Sequence, residues 1–162
     1  MSEKEFWVPP REANILITGR CNLKCRHCSV SSFGRSKDDL PLNAWSRILD
    51  ELVSNKLVRV TVSGGEPMAR PDFSEFITAL ASRPLRVAVN TNATMVSESA
   101  VTSLKKLESR LETVMVSIDG SNEKTHDSQR GTGAFRAMQE GVRSLRERGI
   151  PFGFYCTVTS LN

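Results

Sequence analysis

Apolar positions recur along the chain with two periods, and the two alternate. From Asn43 to Lys56, the residues Trp45, Ile48, Leu49, Leu52 and Val53 fall at i, i+3, i+4, i+7 and i+8, which puts every large apolar group on one helical face. An amphipathic helix is predicted there, with Asn43 as its N-cap. Phe73, Phe76, Ile77, Leu80 and Ala81 repeat the spacing behind Pro71 and Asp72, a pair suited to a helix start. Ser97 is placed to cap a third helix carrying Val101, Leu104 and Leu107. A fourth runs from Ala134 to Arg148 on Phe135, Met138, Val142 and Leu145, until Gly149 and Pro151 end it.

Between these lie strand-length runs rich in β-branched residues, at 15–18, 58–62, 85–90, 113–118 and 152–158. Strand alternating with helix predicts an α/β fold on a parallel sheet, because each parallel pair needs a crossover and a helix is the usual one. Ligands of such sheets bind beyond the C-terminal ends of the strands. Four polar stretches fall at those ends: CNLKCRHC (21–28), SGGEP (63–67), NTNAT (90–94) and SIDG (117–120). With adjacent parallel strands they share one rim, a coincidence more informative than any one of them. The irregular run SVSSFGRSKDD (29–39) leaves the cysteines directly and is expected to wrap the site.

Composition narrows the class. A chain of 162 residues fits one ordinary domain, and 39% hydrophobic with 25% charged residues is a soluble globular balance. No apolar run approaches the roughly 20 residues that span a bilayer, and the N-terminus lacks a secretory apolar stretch, so no membrane partner and a cytoplasmic location are expected. The charge of +4 comes from 22 basic and 18 acidic residues scattered without blocks, which argues against nucleic acid. Residues 1–13 read as an N-terminal extension and 14–162 as the core.

Cys21, Cys25 and Cys28 lie too close together for a sensible disulfide framework and read as a metal site. Iron–sulfur cubanes usually take four thiolates, so a loop offering three leaves one iron open, and an open position marks chemistry rather than architecture. A structural zinc with His27 as fourth ligand is the alternative, although neighbouring residues seldom both reach one tetrahedral ion. Cys156, in the fifth strand-like run, reads as a small buried hydrophobe. His126 with Asp127 reads as a structural or solvated pair in a polar loop. Ser117, Asp119 and Arg130 can also be read as a capped strand end and a solvated surface arginine.

The C-x3-C-x2-C spacing of Cys21, Cys25 and Cys28, followed after the second strand by Gly64, Gly65, Glu66 and Pro67 as GGEP, resembles the radical S-adenosylmethionine (radical SAM) superfamily. The resemblance implies a parallel partial (β/α) barrel of which about five of six strands are present. It implies a [4Fe-4S] cluster on the three cysteines, with SAM on the fourth iron. Reductive cleavage of SAM would then give a 5′-deoxyadenosyl radical that abstracts hydrogen from a substrate. Gly64, Gly65, Glu66 and Pro67 would serve the SAM amino group. Asn90 and Asn92 stand where related enzymes read QTNG, with Asn90 for Gln and Ala93 for Gly as departures. Ser117 and Arg130 match positions that contact the SAM carboxylate or ribose in enzymes with a SPASM-type core.

Those relatives modify peptides, sulfatases or tetrapyrrole side chains, which implies a peptide or another large substrate and an electron donor such as flavodoxin or ferredoxin. The absent sixth strand would leave 152–158 as a bare apolar edge, so a fragment of a longer enzyme is expected, or a partner that supplies the cover. The competing function is a truncated, non-catalytic metal-binding module, holding zinc or iron and sulfur, that docks through that edge.

Overall fold

The alternating periods become one parallel sheet in the computed structural model, which describes residues 10–30, 38–160 and 162. Strands β1 (Glu12–Leu16), β2 (Arg59–Ser63), β3 (Arg86–Thr91), β4 (Leu111–Ser117) and β5 (Phe152–Tyr155) lie side by side in chain order, each pair parallel. Between them run helices α1 (Leu42–Ser54), α2 (Phe73–Ala81), α3 (Glu98–Lys105), α4 (Glu123–Arg130) and α5 (Ala134–Glu147). Most of the expected N-terminal extension lies outside the described residues. Glu12 and Ala13 already pair with Arg59 and Val60, so the sheet starts ahead of Asn14.

The two faces of the sheet differ because side chains alternate along each strand. Ile15, Val60, Val62, Val87, Val89, Val114 and Val116 share a core with Leu49, Phe76, Ile77, Leu80, Leu104 and Leu145 from the helices. The opposite face carries Ser63, Asn90, Met115 and Ser117, which line a cavity. At the other end of the strands the β3–β4 register shifts, so that Leu111 pairs with Val87 and Thr113 with Ala88. Glu112 is the extra residue of this bulge. It meets both Arg59 and Arg86, and Arg59 also reaches Glu12, an ionic ladder that ties β1 to β4.

Three expectations need correction. The first helix starts at Leu42, and its N-cap is Pro41 rather than Asn43. The Pro41 carbonyl accepts from the N–H groups of Ala44 and Trp45, so backbone closes the first turn and Asn43 sits inside it. The fifth strand stops at Tyr155, and Cys156 is exposed rather than buried. The reason is local: Thr157 N–H turns away from the ladder to donate to Asp119 Oδ1 at 3.0 Å. His126 is no loop residue. It lies on α4, only 1% exposed. Part of the long connection expected to wrap the site, residues 31–37, lies outside the described residues.

Candidate functional site

The rim is built by backbone first. Ile17 N–H donates to Ser63 O at 3.0 Å, Gly65 N–H to Thr18 O at 2.8 Å and Glu66 N–H to Arg20 O at 2.7 Å, so the loop after β2 runs against the chain that leads into the cysteines. That contact requires glycine. Gly64 has φ +144°, and a Cβ there would stand 2.5 Å from Thr18 O; at Gly65 a Cβ would collide with Arg20 O. Whatever the glycine pair offers a ligand, the protein's own backbone already fills the space a Cβ would take.

Two charged side chains, the half-buried Asp39 and the buried Arg70, hold the ends of the cysteine loop. Asp39 accepts from Thr18 Oγ1 (3.0 Å), Gly19 N (3.3 Å) and Arg20 Nε (3.1 Å). Arg70, only 3% exposed, donates to Ile17 O (2.6 Å) before the cysteines and to Leu40 O (2.8 Å) after them, with its charge met by Asp72 at 2.7 Å. Neither Arg70 nor Asp39 was singled out from sequence. A carboxylate or guanidinium that reaches partners 19 to 53 residues away leaves no pattern along the chain.

Glu66 and Pro67 stand behind the cavity wall. Glu66 is fully buried and accepts from Thr91 Oγ1 (2.8 Å), Met68 N (3.2 Å) and Asn92 N (2.8 Å), which joins the SGGEP loop to the end of β3. Burial pushes its carboxyl pKa up, against the pull of these three donors. Pro67 is buried at the first position of a 3-10 turn, Pro67–Ala69. Asn92 lies on the cavity, but much of its side chain is spent on protein: Nδ2 donates to Asn22 Oδ1 at 3.0 Å and lies 4.0 Å from Cys21 Sγ, and Oδ1 accepts from Thr94 N at 2.8 Å. Ala93 adopts φ +59°, a conformation glycine takes readily, so the departure from QTNG preserves the turn with an alanine.

The other side of the rim is charged. Arg130, 7% exposed, donates from Nε to Asp119 Oδ2 at 2.6 Å, and its Nη1 lies 4.0 Å from Cys25 Sγ. The solvated-arginine alternative is thereby excluded. Asp119 is fully buried, and its Oδ2 also lies 3.3 Å from His27 Nε2. Burial alone would raise the Asp119 pKa, but the Arg130 hydrogen bond, Thr157 N–H and the Arg130 charge outweigh it and hold the carboxyl below its ordinary value. Burial pushes the Cys25 thiol up, opposed by Arg130. His126, whose Nδ1 accepts from Asp119 N–H at 3.2 Å, is held below its ordinary pKa by burial and then by the Arg130 charge.

Nine of the expected residues line a single cavity of about 430 Å³: Cys21, Cys25, Cys28, Gly64, Gly65, Asn90, Asn92, Ser117 and Arg130. His27, Met115 and Tyr155 share that wall. Met115, which was not singled out from sequence, faces the cavity from β4. No disulfide is formed among the described cysteines, and no three His, Cys, Asp or Glu side chains among the described residues stand in single-ion geometry. No helix among the described residues is long and apolar enough to cross a membrane.

The chain is similar to known proteins in sequence and in fold. An AdoMet-dependent heme synthase of Methanosarcina barkeri is 34% identical over 148 residues, 90% of this chain and 42% of that protein. The antilisterial bacteriocin subtilosin biosynthesis protein AlbA of Bacillus subtilis is 30% identical over 142 residues, 87% of this chain and 32% of AlbA. The chain thus spans well under half the length of these curated relatives. Among solved structures, Streptococcus suis SuiB bound to S-adenosylmethionine superposes with a TM-score of 0.82 at 24% identity, over 96% of this chain and 36% of SuiB, which shows a common fold. The model of the Radical SAM superfamily matches residues 15–162, and the chain belongs to that superfamily.

Proposed function

We propose that residues 14–162 form the cluster-bearing core of a radical SAM enzyme acting on a peptide or another large substrate. The observation that carries this reading is the convergence of three thiols, two glycine backbones, Asn90, Ser117 and a buried arginine on one cavity. Superfamily members use a [4Fe-4S] cluster and SAM, and the residues fit that pair. The cavity offers three thiols, while Cys156 lines a separate surface pocket with Ile118 and Val158. A cubane on three thiols keeps one iron for a ligand from outside the protein. His27 Nδ1 is buried without a hydrogen-bond partner among the described residues, and Arg130 offers the planar fork that suits a carboxylate.

In this reading Cys21, Cys25 and Cys28 hold the cluster. Bound there and reduced, a cluster would supply the electron for reductive cleavage of SAM, the chemistry by which a hydrogen atom would be removed from the substrate. The chain's own residues bind, orient and exclude water. Arg130 receives the SAM carboxylate, with its charge already balanced by Asp119. Ser117 and Asn90 offer polar groups from the cavity floor, and the Gly64–Gly65 backbone forms the opposite wall. Glu66, Pro67 and Asn92 keep that wall in register with the cysteine loop. Met115 and Tyr155 give the substrate side an apolar surface.

A peptide substrate is supported by SuiB, which was crystallised with its precursor peptide SuiA, and by the role of AlbA in bacteriocin biosynthesis. The heme synthase relative supports the wider class of large substrates. A flavodoxin or ferredoxin supplies the electron, and the reduced thiols suit a cytoplasmic location. Phe154 and Tyr155 of β5 are 51% and 61% exposed, so further chain or a partner covers this edge. No observation favours the non-catalytic zinc module. Anaerobic reconstitution should give about four irons per chain. Dithionite with SAM should then change the EPR spectrum and release 5′-deoxyadenosine. Stoichiometric zinc after anaerobic purification, or a loaded chain that neither responds to SAM nor cleaves it, would refute the reading.

A further inference from the structure

Asp119, in the SIDG stretch, is a fully buried carboxylate to which the resemblance assigns no role, and four separate parts of the chain converge on it. Its Oδ2 accepts from Arg130 Nε of α4 at 2.6 Å and lies 3.3 Å from His27 Nε2 of the cysteine loop. Its Oδ1 accepts from Thr157 N–H, just beyond β5, at 3.0 Å. Its own N–H donates to His126 Nδ1 at 3.2 Å, and its carbonyl accepts from Asn162 Nδ2 at 3.0 Å. A second link runs in parallel, since Arg26 N–H donates to Gln129 O at 2.9 Å, joining the cysteine loop to α4 next to Arg130.

A buried ion pair is weak evidence for stability, because the cost of removing two charges from water often matches their attraction. The Asp119–Arg130 pair is therefore better explained by what it positions. One edge of the guanidinium is taken by Asp119, which points Nη1 at Cys25 Sγ, 4.0 Å away and on the cavity. The same carboxylate oxygen holds the ring of His27, the residue next to Cys28. One side chain thus sets the distance between the arginine and the thiol loop.

We infer that Asp119 is a positioning residue that locks Arg130 and the His27 side of the cysteine loop into one unit before any cofactor arrives. This inference rests on the proposed reading of Arg130 as the SAM carboxylate site. It also makes a claim about the chain alone. With Asp119 in place, α4 and the cysteine loop are pre-organised; without it, Arg130 loses its anchor and the loop loses its contact through His27.

The test compares wild type, Asp119→Asn, Asp119→Glu and Arg130→Gln. In the apo chain, Asp119→Asn should speed amide exchange at Arg26 and Thr157 while circular dichroism shows the fold retained; unchanged protection at Arg26 would overturn the inference whatever SAM does. In reconstituted protein, Asp119→Asn should keep its iron and weaken SAM binding by about 10- to 100-fold, to the level of Arg130→Gln, the loss of a charge-assisted contact. The Asp119→Asn, Arg130→Gln double variant should then bind no worse than either single variant. Asp119→Glu keeps the charge but crowds the site more. It should bind SAM better than Asp119→Asn, whereas a purely steric role would reverse that order and overturn the inference. If Arg130→Gln weakens SAM binding and Asp119→Asn does not, only the positioning role falls. If the loaded wild type binds no SAM, the proposed function falls and this inference with it.

Discussion

Replacing Glu66 with Gln keeps the shape of the side chain and removes one acceptor from a site that needs two. In the wild type one carboxylate oxygen takes Thr91 Oγ1–H and Met68 N–H, and the other takes Asn92 N–H. If the Gln oxygen keeps the first pair, its NH₂ faces Asn92 N–H; if it flips, its NH₂ faces Met68 N–H. Either way one buried backbone donor is orphaned, at a cost of about 1–3 kcal/mol. Loss of the buried charge offsets part of this, because burial disfavours the ionised form of Glu66.

The offset depends on pH. A folded pKa raised above the unfolded value means that folding favours the protonated acid, so wild-type stability rises as pH falls from the raised folded value towards the unfolded value near about 4.3. Gln has no such dependence. The penalty for Glu66→Gln should therefore be larger at pH 5.5 than at pH 8. A loss of about 2 kcal/mol corresponds to a melting temperature lower by roughly 4–8 °C for a chain of this size. Urea unfolding at the two pH values measures the difference, and hydrogen exchange at the Asn92 amide locates it. Equal stability within about 0.5 kcal/mol at both pH values, with Asn92 still protected, would show that the carboxylate does not hold these donors.

Gly65→Ala should destabilise the chain by about 1–3 kcal/mol and lower iron loading, because the added Cβ meets Arg20 backbone and stands 3.0 Å from Cys21 Cβ; thermal melting and iron content under argon measure both, and a variant with wild-type values for both would refute the packing argument. Burial, and then the Arg130 charge, hold His126 below its ordinary pKa in the fold, so below about pH 6.5 the unfolded chain binds a proton more readily than the folded chain, and stability should fall as pH falls through that window. His126→Asn should flatten that slope in urea midpoints between pH 8 and 5.5, and an unchanged slope would assign the effect to other groups.

Much of the frame was legible in the sequence because burial imposes periodicity. The strand positions and four helices follow from apolar and β-branched spacing, and Ser97 caps α3 as expected, accepting from Ala100 N–H at 3.2 Å. The shared rim was legible too, since polar motifs at successive strand ends can meet only if the strands are parallel neighbours. Helix α4 was not. Its sequence EKTHDSQR has no apolar stripe, and it buries His126, Gln129 and Arg130 instead. Its remaining signal was the pair of ends, Asn122 accepting from Thr125 N–H and Gly131 past the last turn. The pairing of Asp119 with Arg130 was hidden for a related reason: a carboxylate after a strand looks the same whether it caps a turn or neutralises an arginine eleven residues on. The last strand was drawn too long because β-branched residues past Tyr155 suit a strand, while Thr157 N–H finds a better acceptor off the ladder.

Gly141, in the middle of α5, has a further consequence. A Cβ there would run into Ala93 O, so the helix lies directly on the turn that carries Asn92, with Val96 close beside it. Glu66 grips the same turn from the opposite flank. Held on both flanks, this jaw of the site has no independent travel, because closely packed surfaces move together or not at all. The facing jaw is secured differently: past β5 the chain is stitched by hydrogen bonds, Thr157 N–H to Asp119 and Gln129 Nε2 to Thr159 Oγ1, so polar geometry rather than close packing sets the width of the opening.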